Sequence, residues 1–176
     1  RPVIGIDLKI LDDDGNEVPT GEAGEVCVRG PNVTQGYLNR PEENEKAFKN
    51  GWFHTGDVGR VDENGFMFLM DRKKDMIVSG GENIYTSEVE AALYKHPDVF
   101  ECAVIGIPDD KYGEALFAVI VTVPGETLTE DIIIEHCREL IAGYKVPRQM
   151  DFVEELPKSA MSKILKNELR DIYGNK

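Results

Sequence analysis

The chain has 176 residues, 41% of them hydrophobic, and a formal net charge of -13. That length and apolar content allow one ordinary domain or two small ones with a core. The acidic balance excludes a general binder of nucleic acid or anionic membrane, which needs a basic surface.

No apolar run approaches the ~18 residues of a membrane span, and there is no signal-peptide pattern. Cys27, Cys102 and Cys137 are widely separated and lie in no CxxC spacing. They read as buried free thiols, which fits a reducing cytoplasm better than secretion. The sequence lacks an initiator Met and opens on a strand-like run, so it reads as a piece of a longer polypeptide.

Residues 3–11 are rich in apolar side chains (Val3, Ile4, Ile6, Leu8, Ile10) and predict a strand, closed by the turn Asp12-Asp13-Asp14-Gly15-Asn16. Glu25 to Gly30 predicts a second strand, and the charged stretch Asn39 to Asn50 holds a short helix. Asp57–Val61 and Gly65–Met70 read as strands around the turn Asp62-Glu63-Asn64-Gly65. Short strands with Gly-rich turns point to a small distorted β-barrel over residues 1–71.

Beyond residue 72 the pattern changes. Ser87 with Glu90 reads as a capping box opening a helix that carries Val89 and Leu93 and ends before Pro97. Val99–Ile107 and Ala115–Val123 predict strands divided by the turn from Pro108 to Gly113. Thr127 or Thr129 starts a helix with Ile133, Cys137, Leu140 and Ile141 on one face, and Gly143 fits its stop. Gln149–Val153 predicts a third strand, and Leu165, Leu169 and Ile172 mark a last amphipathic helix. The order describes a compact α+β unit, with a short mixed sheet flanked by helices. Between the two parts lies Asp71-Arg72-Lys73-Lys74-Asp75, without an apolar anchor. Such a segment suits a mobile connection, and equally an exposed hairpin turn.

Several motifs then stand out: Gly24-Glu25-Val26-Cys27-Val28-Arg29-Gly30, Gly51-Trp52-Phe53-His54-Thr55-Gly56-Asp57, Asp71-Arg72-Lys73-Lys74-Asp75, Gly80-Gly81-Glu82-Asn83-Ile84, Gly143-Tyr144-Lys145-Val146-Pro147 and Pro157-Lys158-Ser159-Ala160-Met161-Ser162-Lys163. In this order and spacing they resemble the C-terminal third of the adenylate-forming enzymes, the superfamily of acyl-CoA synthetases, adenylation domains and luciferases. The resemblance is strongest to bacterial fatty-acid and aryl-acid CoA ligases. It implies an enzyme that activates a carboxylic acid with ATP to an acyl-adenylate and passes the acyl group to coenzyme A. Residues 1–71 would end the large adenylation region, and 72–176 would be a mobile lid.

On the same resemblance, Asp57 and Arg72 contact the nucleotide ribose, a task that suits a two-oxygen carboxylate and a planar guanidinium. The bland alternative for Asp57 is capping of its own Thr-Gly turn. Lys74 matches the hinge, where a hydrated side chain tolerates a backbone rotation. Lys163 matches the catalytic cation that meets the substrate carboxylate and the α-phosphate. Ser162 stands where the family usually has Gly, which puts the local loop conformation at issue. Gly80 and Gly81 match the pantetheine tunnel, and a tight turn explains the pair equally well. His54, His96 and His136 have no partner at metal-ligand spacing. The phosphate loop, the acyl pocket and the Mg²⁺ ligands would lie in the missing N-terminal region of the same polypeptide, so the fragment alone should be inactive. A carrier-protein-loading adenylation domain and a non-catalytic nucleotide- or CoA-binding lid are the competing readings.

Overall fold

In the computed structural model, which describes residues 3–174, contacts cluster within Arg1–Lys74 and within Asp75–Lys176. The first unit holds β1 (Asp7–Leu11), β2 (Gly24–Arg29), α1 (Pro41–Ala47), β3 (Phe48–Lys49), β4 (Trp52–Val61) and β5 (Met67–Arg72). Its sheet runs β1-β2-β4-β3, with β5 also paired to β4, and every pairing is antiparallel. Register shifts between Glu25 and Cys27 and between Val58 and Gly59 bend the strands, so the sheet curls as half a barrel. Gly59 is needed at the second bend. A Cβ there would lie 2.8 Å from the Phe68 carbonyl oxygen and 2.9 Å from a Val26 methyl.

The core of this unit is small, formed by Ile10, Leu11, Val26, Cys27 and Val58. The first strand is shorter than its apolar residues predict. Val3 and Ile4 are exposed, and Ile6 N donates to the Val3 carbonyl in a turn. The two acidic turns form as read: Asp12 and Asp62 each accept two downstream backbone N–H groups.

The second unit contains β6 (Ile77–Ser79), β7 (Glu82–Ile84), α2 (Thr86–Leu93), β8 (Val99–Asp109), β9 (Gly113–Thr122), α3 (Glu130–Leu140), β10 (Gln149–Val153) and α4 (Lys166–Tyr173). β9 is central: β8 pairs with it antiparallel, β10 parallel, and β6 joins it at Ser79 and Gly113, carrying β7 beyond. Alternate residues of the β8–β9 pair serve two cores. Val104, Leu116, Ala118 and Ile120 pack with Val89 and Leu93 of α2 and Ile133 and Cys137 of α3. Ile105, Phe117, Val119 and Val121 pack with Leu169 and Tyr173 of α4.

Burial on both faces over 102–105 and 115–121 is why the middles of these strands read as apolar runs. Burying one such side chain fully contributes roughly 1.5–3 kcal/mol. The result is an α+β chain with a mixed sheet between helices, and its three cysteines are buried and free.

Four local expectations are corrected. α2 starts at Thr86 with Tyr85 in the N-cap position, so Ser87 lies inside the first turn and the capping box does not form. Glu90 instead accepts from Val104 N of β8 at 2.8 Å, and the Tyr94 hydroxyl accepts from Cys102 N at 3.3 Å. α3 takes Thr129 as its N-cap, with the hydroxyl accepting from Ile132 N, and ends on extended Ile141 rather than on Gly143. Leu140 is exposed. α4 buries Leu169 and Tyr173, one turn apart, and leaves Ile172 exposed. Among the described residues no helix is long and apolar enough to cross a membrane.

Candidate functional site

The residues singled out by sequence fall in both units. In the first, Asp57 and Arg72 are opposite partners in the β4–β5 register. The Arg72 Nε lies 3.0 Å from Asp57 Oδ1, with Arg72 exposed and Asp57 half-buried. An open recess of about 280 Å³ is lined by Asp57, Leu69, Met70, Asp71 and Arg72. A second recess of the same volume, over β1 and the loop after it, holds none of the singled-out residues.

The turn before Asp57 is fixed by Thr55. Its hydroxyl donates to the Val26 carbonyl at 2.8 Å and accepts from Asp57 N at 3.1 Å. The threonine therefore caps the turn, and the Asp57 carboxylate pairs with Arg72.

Residues adjacent in sequence to this pair join a cluster that sequence spacing did not reveal. β2–β4 pairing brings Glu25, Cys27 and His54 together, with donor atoms within 4.8 Å of one another. His54 Nδ1 is 3.1 Å from Glu25 Oε2 and 3.4 Å from Cys27 Sγ. The Lys73 ammonium reaches the same Glu25 oxygen at 3.1 Å and Asp13 at 2.7 Å.

Burial raises the Glu25 carboxyl, but hydrogen bonds from His54 and Lys73 outweigh it and hold the group below its ordinary value. Burial, then the Glu25 charge, push the Cys27 thiol up to about 11. Burial lowers Lys73, but its bonds to Asp13 and Glu25 outweigh it and leave it raised. Lys73 brings an ammonium to this cluster, and the Cys27 thiol keeps its proton at neutral pH. With Glu25 already taken by the Lys73 ammonium and by His54, the cluster stands as an ion-paired network.

At the junction of the units, Lys73 N donates to the Gly56 carbonyl at 2.8 Å, inside the first unit. Asp75 accepts from Arg170 Nη2 at 2.6 Å, inside the second. Lys74 lies between these two anchored residues and is exposed.

In the second unit Gly80 and Gly81 form the two-residue turn of the β6–β7 hairpin, with φ of 60° and 86°. Positive φ at both central residues is what such a turn demands. A Cβ on Gly81 would meet nothing within 4 Å, whereas one on Gly80 would come 3.3 Å from the Tyr112 ring. The hairpin itself was not read from sequence, because strands of three residues carry too little pattern.

Lys163 is exposed on a loop that Ser159 organises. Ser159 N donates to the Lys163 carbonyl at 2.8 Å, and the Ser159 hydroxyl accepts from Lys163 N at 3.2 Å and Met161 N at 3.3 Å. The neighbouring ammonium groups are engaged: Lys158 with Glu101, Lys166 with Glu90 and Thr86. Lys166 on α4 is therefore held in place and not solvated. Among the described residues no ion pair holds the Lys163 ammonium.

Ser162 takes a φ of 59°, the left-handed conformation a glycine adopts without strain. Ser162→Gly is expected to stabilise the protein by about 0.5–1 kcal/mol, the relief of left-handed strain exceeding the entropy glycine gives the unfolded chain. Urea unfolding followed by circular dichroism reads this as a higher midpoint. A lower midpoint would mean the serine is not strained.

Comparison with known proteins covers both units. The profile of the AMP-binding enzyme family matches residues 1–38, and that of the AMP-binding enzyme C-terminal domain matches residues 88–163. A long-chain-fatty-acid–CoA ligase of Escherichia coli is 47% identical over 97% of this chain, which spans 30% of that protein. A feruloyl-CoA synthase of an Amycolatopsis species is 46% identical over 98% of this chain and 35% of its own length. The chain thus spans about a third of the curated relatives it matches.

Among solved structures, ATP-bound MatB of Rhodopseudomonas palustris superposes with a TM-score of 0.90 at 37% identity, over 97% of this chain and 34% of that one. The Bacillus subtilis o-succinylbenzoate CoA synthetase, in complex with its acyl-adenylate, also gives 0.90, at 40% identity over 97% of this chain and 35% of that one. With two profiles spread across both units and the fold matched nearly end to end, the chain belongs to the adenylate-forming AMP-binding enzymes and corresponds to a C-terminal portion of them.

Proposed function

We propose that this chain is the C-terminal part of an AMP-forming acid:CoA ligase, which activates a fatty or aryl carboxylic acid with ATP and transfers the acyl group to CoA. The observation that carries the reading is the Asp57–Arg72 pair, set side by side on β4 and β5 at an open recess. A carboxylate whose second oxygen is available can accept from ribose hydroxyls, and the adjacent guanidinium supplies donors to the same sugar. The curated relatives carry CoA ligase or CoA synthase names, which favours CoA over a carrier protein as acceptor.

In this reading Lys163 brings positive charge to the reacting carboxylate and α-phosphate during adenylation, where fixed charge lowers the barrier. The Gly80-Gly81 turn keeps a narrow passage clear for the pantetheine arm. Lys74 is the pivot about which 75–176 turns between the two half-reactions. Phe66, Phe68 and Leu69, exposed here, fit a surface covered by the N-terminal region of the longer polypeptide. Mg²⁺ would neutralise phosphate charge, and the carboxylates near the recess are engaged by protein donors: Asp57 faces Arg72, Asp71 accepts from Arg72 N, and Glu25 is occupied by Lys73 and His54.

A panel of carboxylic acids tested with the full-length protein, by pyrophosphate release and by CoA thioester formation, examines the proposal. At least one fatty or aryl acid should drive both. Pyrophosphate release without any CoA thioester would move the acceptor to another thiol, and neither product with any acid would overturn the reading.

A further inference from the structure

Glu25 has no part in the chemistry above, yet it is tied to both ends of the Asp57–Arg72 pair. Its side chain is only 10% exposed. Oε2 accepts from His54 Nδ1 and from the Lys73 ammonium, each at 3.1 Å, and Oε1 accepts from Gly56 N at 3.2 Å. These donors are not scattered. His54 and Gly56 lie just before Asp57 on β4, and Lys73 directly follows Arg72 at the end of β5. Lys73 N closes the ring by donating to the Gly56 carbonyl at 2.8 Å. The register shift between Glu25 and Cys27 is located on β2 where this carboxylate leaves the strand, and such bulges re-aim side chains.

We propose that Glu25, through Lys73 and the Gly56 amide, is the positioning residue that holds Asp57 and Arg72 in register for the nucleotide. The assignment rests on the reading of those two residues as ribose contacts. A buried carboxylate with three donors has one stable arrangement, and that arrangement fixes the backbone on both sides of the pair. The ribose is bound alike in ground and transition states, so slackening its contacts raises KM more than it lowers kcat.

The test is Glu25→Gln in the full-length protein, a change that keeps shape and an acceptor for Gly56 N but removes the charge that holds Lys73. The KM for ATP in pyrophosphate exchange is expected to rise about tenfold, the scale of one charge-assisted contact, with kcat within about threefold. Lys73→Met should do the same, and the double variant should be no worse than the more severe single one. An unchanged KM in a variant that only melts earlier would overturn the proposal and leave Glu25 a fold residue. Amide exchange in the same protein keeps the two ideas separable. If the wild type makes no adenylate, the ligase reading fails. Faster exchange in Glu25→Gln confined to Gly56 and Lys73 would still support the positioning role, and exchange that is unchanged or accelerated throughout would overturn it.

Discussion

Lys163→Ala in the full-length enzyme should reduce adenylate formation by on the order of 10²–10³-fold while leaving thioester formation from supplied acyl-adenylate within about threefold. The asymmetry follows from where charge accumulates. Adenylation brings a carboxylate against an α-phosphate, and repulsion between these anions peaks as the new bond forms. A cation offsets it at that point and has no equivalent task once the phosphate ester is the leaving group. The local structure suits such a role: Lys163 is exposed at the end of a loop braced by Ser159, while Lys158 and Lys166 are committed to Glu101 and Glu90. Quenched-flow measurement of each half-reaction checks it. Equal loss in both would remove Lys163 from its assigned place.

Lys74→Pro should lower the overall rate of thioester formation by about 100-fold or more, the scale of a misplaced catalytic group, with one half-reaction far more affected than the other. The residue lies between two anchors. Lys73 is bound to Glu25, Asp13 and the Gly56 carbonyl, and Asp75 is bound to Arg170 in a half-buried ion pair. Rotation of one unit without breaking either anchor is left to the dihedrals around Lys74. Proline fixes φ near -65° and restricts the preceding residue as well. Lys74→Ala, which keeps backbone freedom, should stay within a few-fold of wild type. If the proline variant runs both half-reactions at the normal rate, the pivot lies elsewhere.

How much of this was legible in the sequence depended on how local the signal was. The β8–β9 pair announced itself because burial on both faces leaves 102–105 and 115–121 without a polar residue. The acidic turns were legible because Asp12 and Asp62 make their bonds within four residues. Errors arose where a distant partner claimed a side chain. Glu90 fits a capping box by spacing, but the amide of Val104 and the ammonium of Lys166 take it. Ile172 and Tyr173 are adjacent candidates for one helix face, and packing against Phe117 selects the tyrosine.

The site divides the same way. Asp57, Arg72 and Lys163 carry motif resemblance, but the pairing of the first two depends on a strand register that crosses a bulge. Glu25 and His54, 29 residues apart, meet only through β2–β4 pairing. His54 was accordingly read as lacking a partner, and nothing in its neighbourhood along the chain says otherwise.

The two bonds from α2 to β8 have a consequence for life in a crowded solution. β8 is the outermost strand on its side of the sheet, and an outer strand with unpaired amides is a template on which another chain can add. Tyr94 and Glu90 occupy the outward amides of Cys102 and Val104. The middle of the longest strand of the second unit is thereby blocked against intermolecular strand addition without a further strand to cover it. For a body proposed to swing on a single exposed residue, resistance to aggregation is built into its own helix.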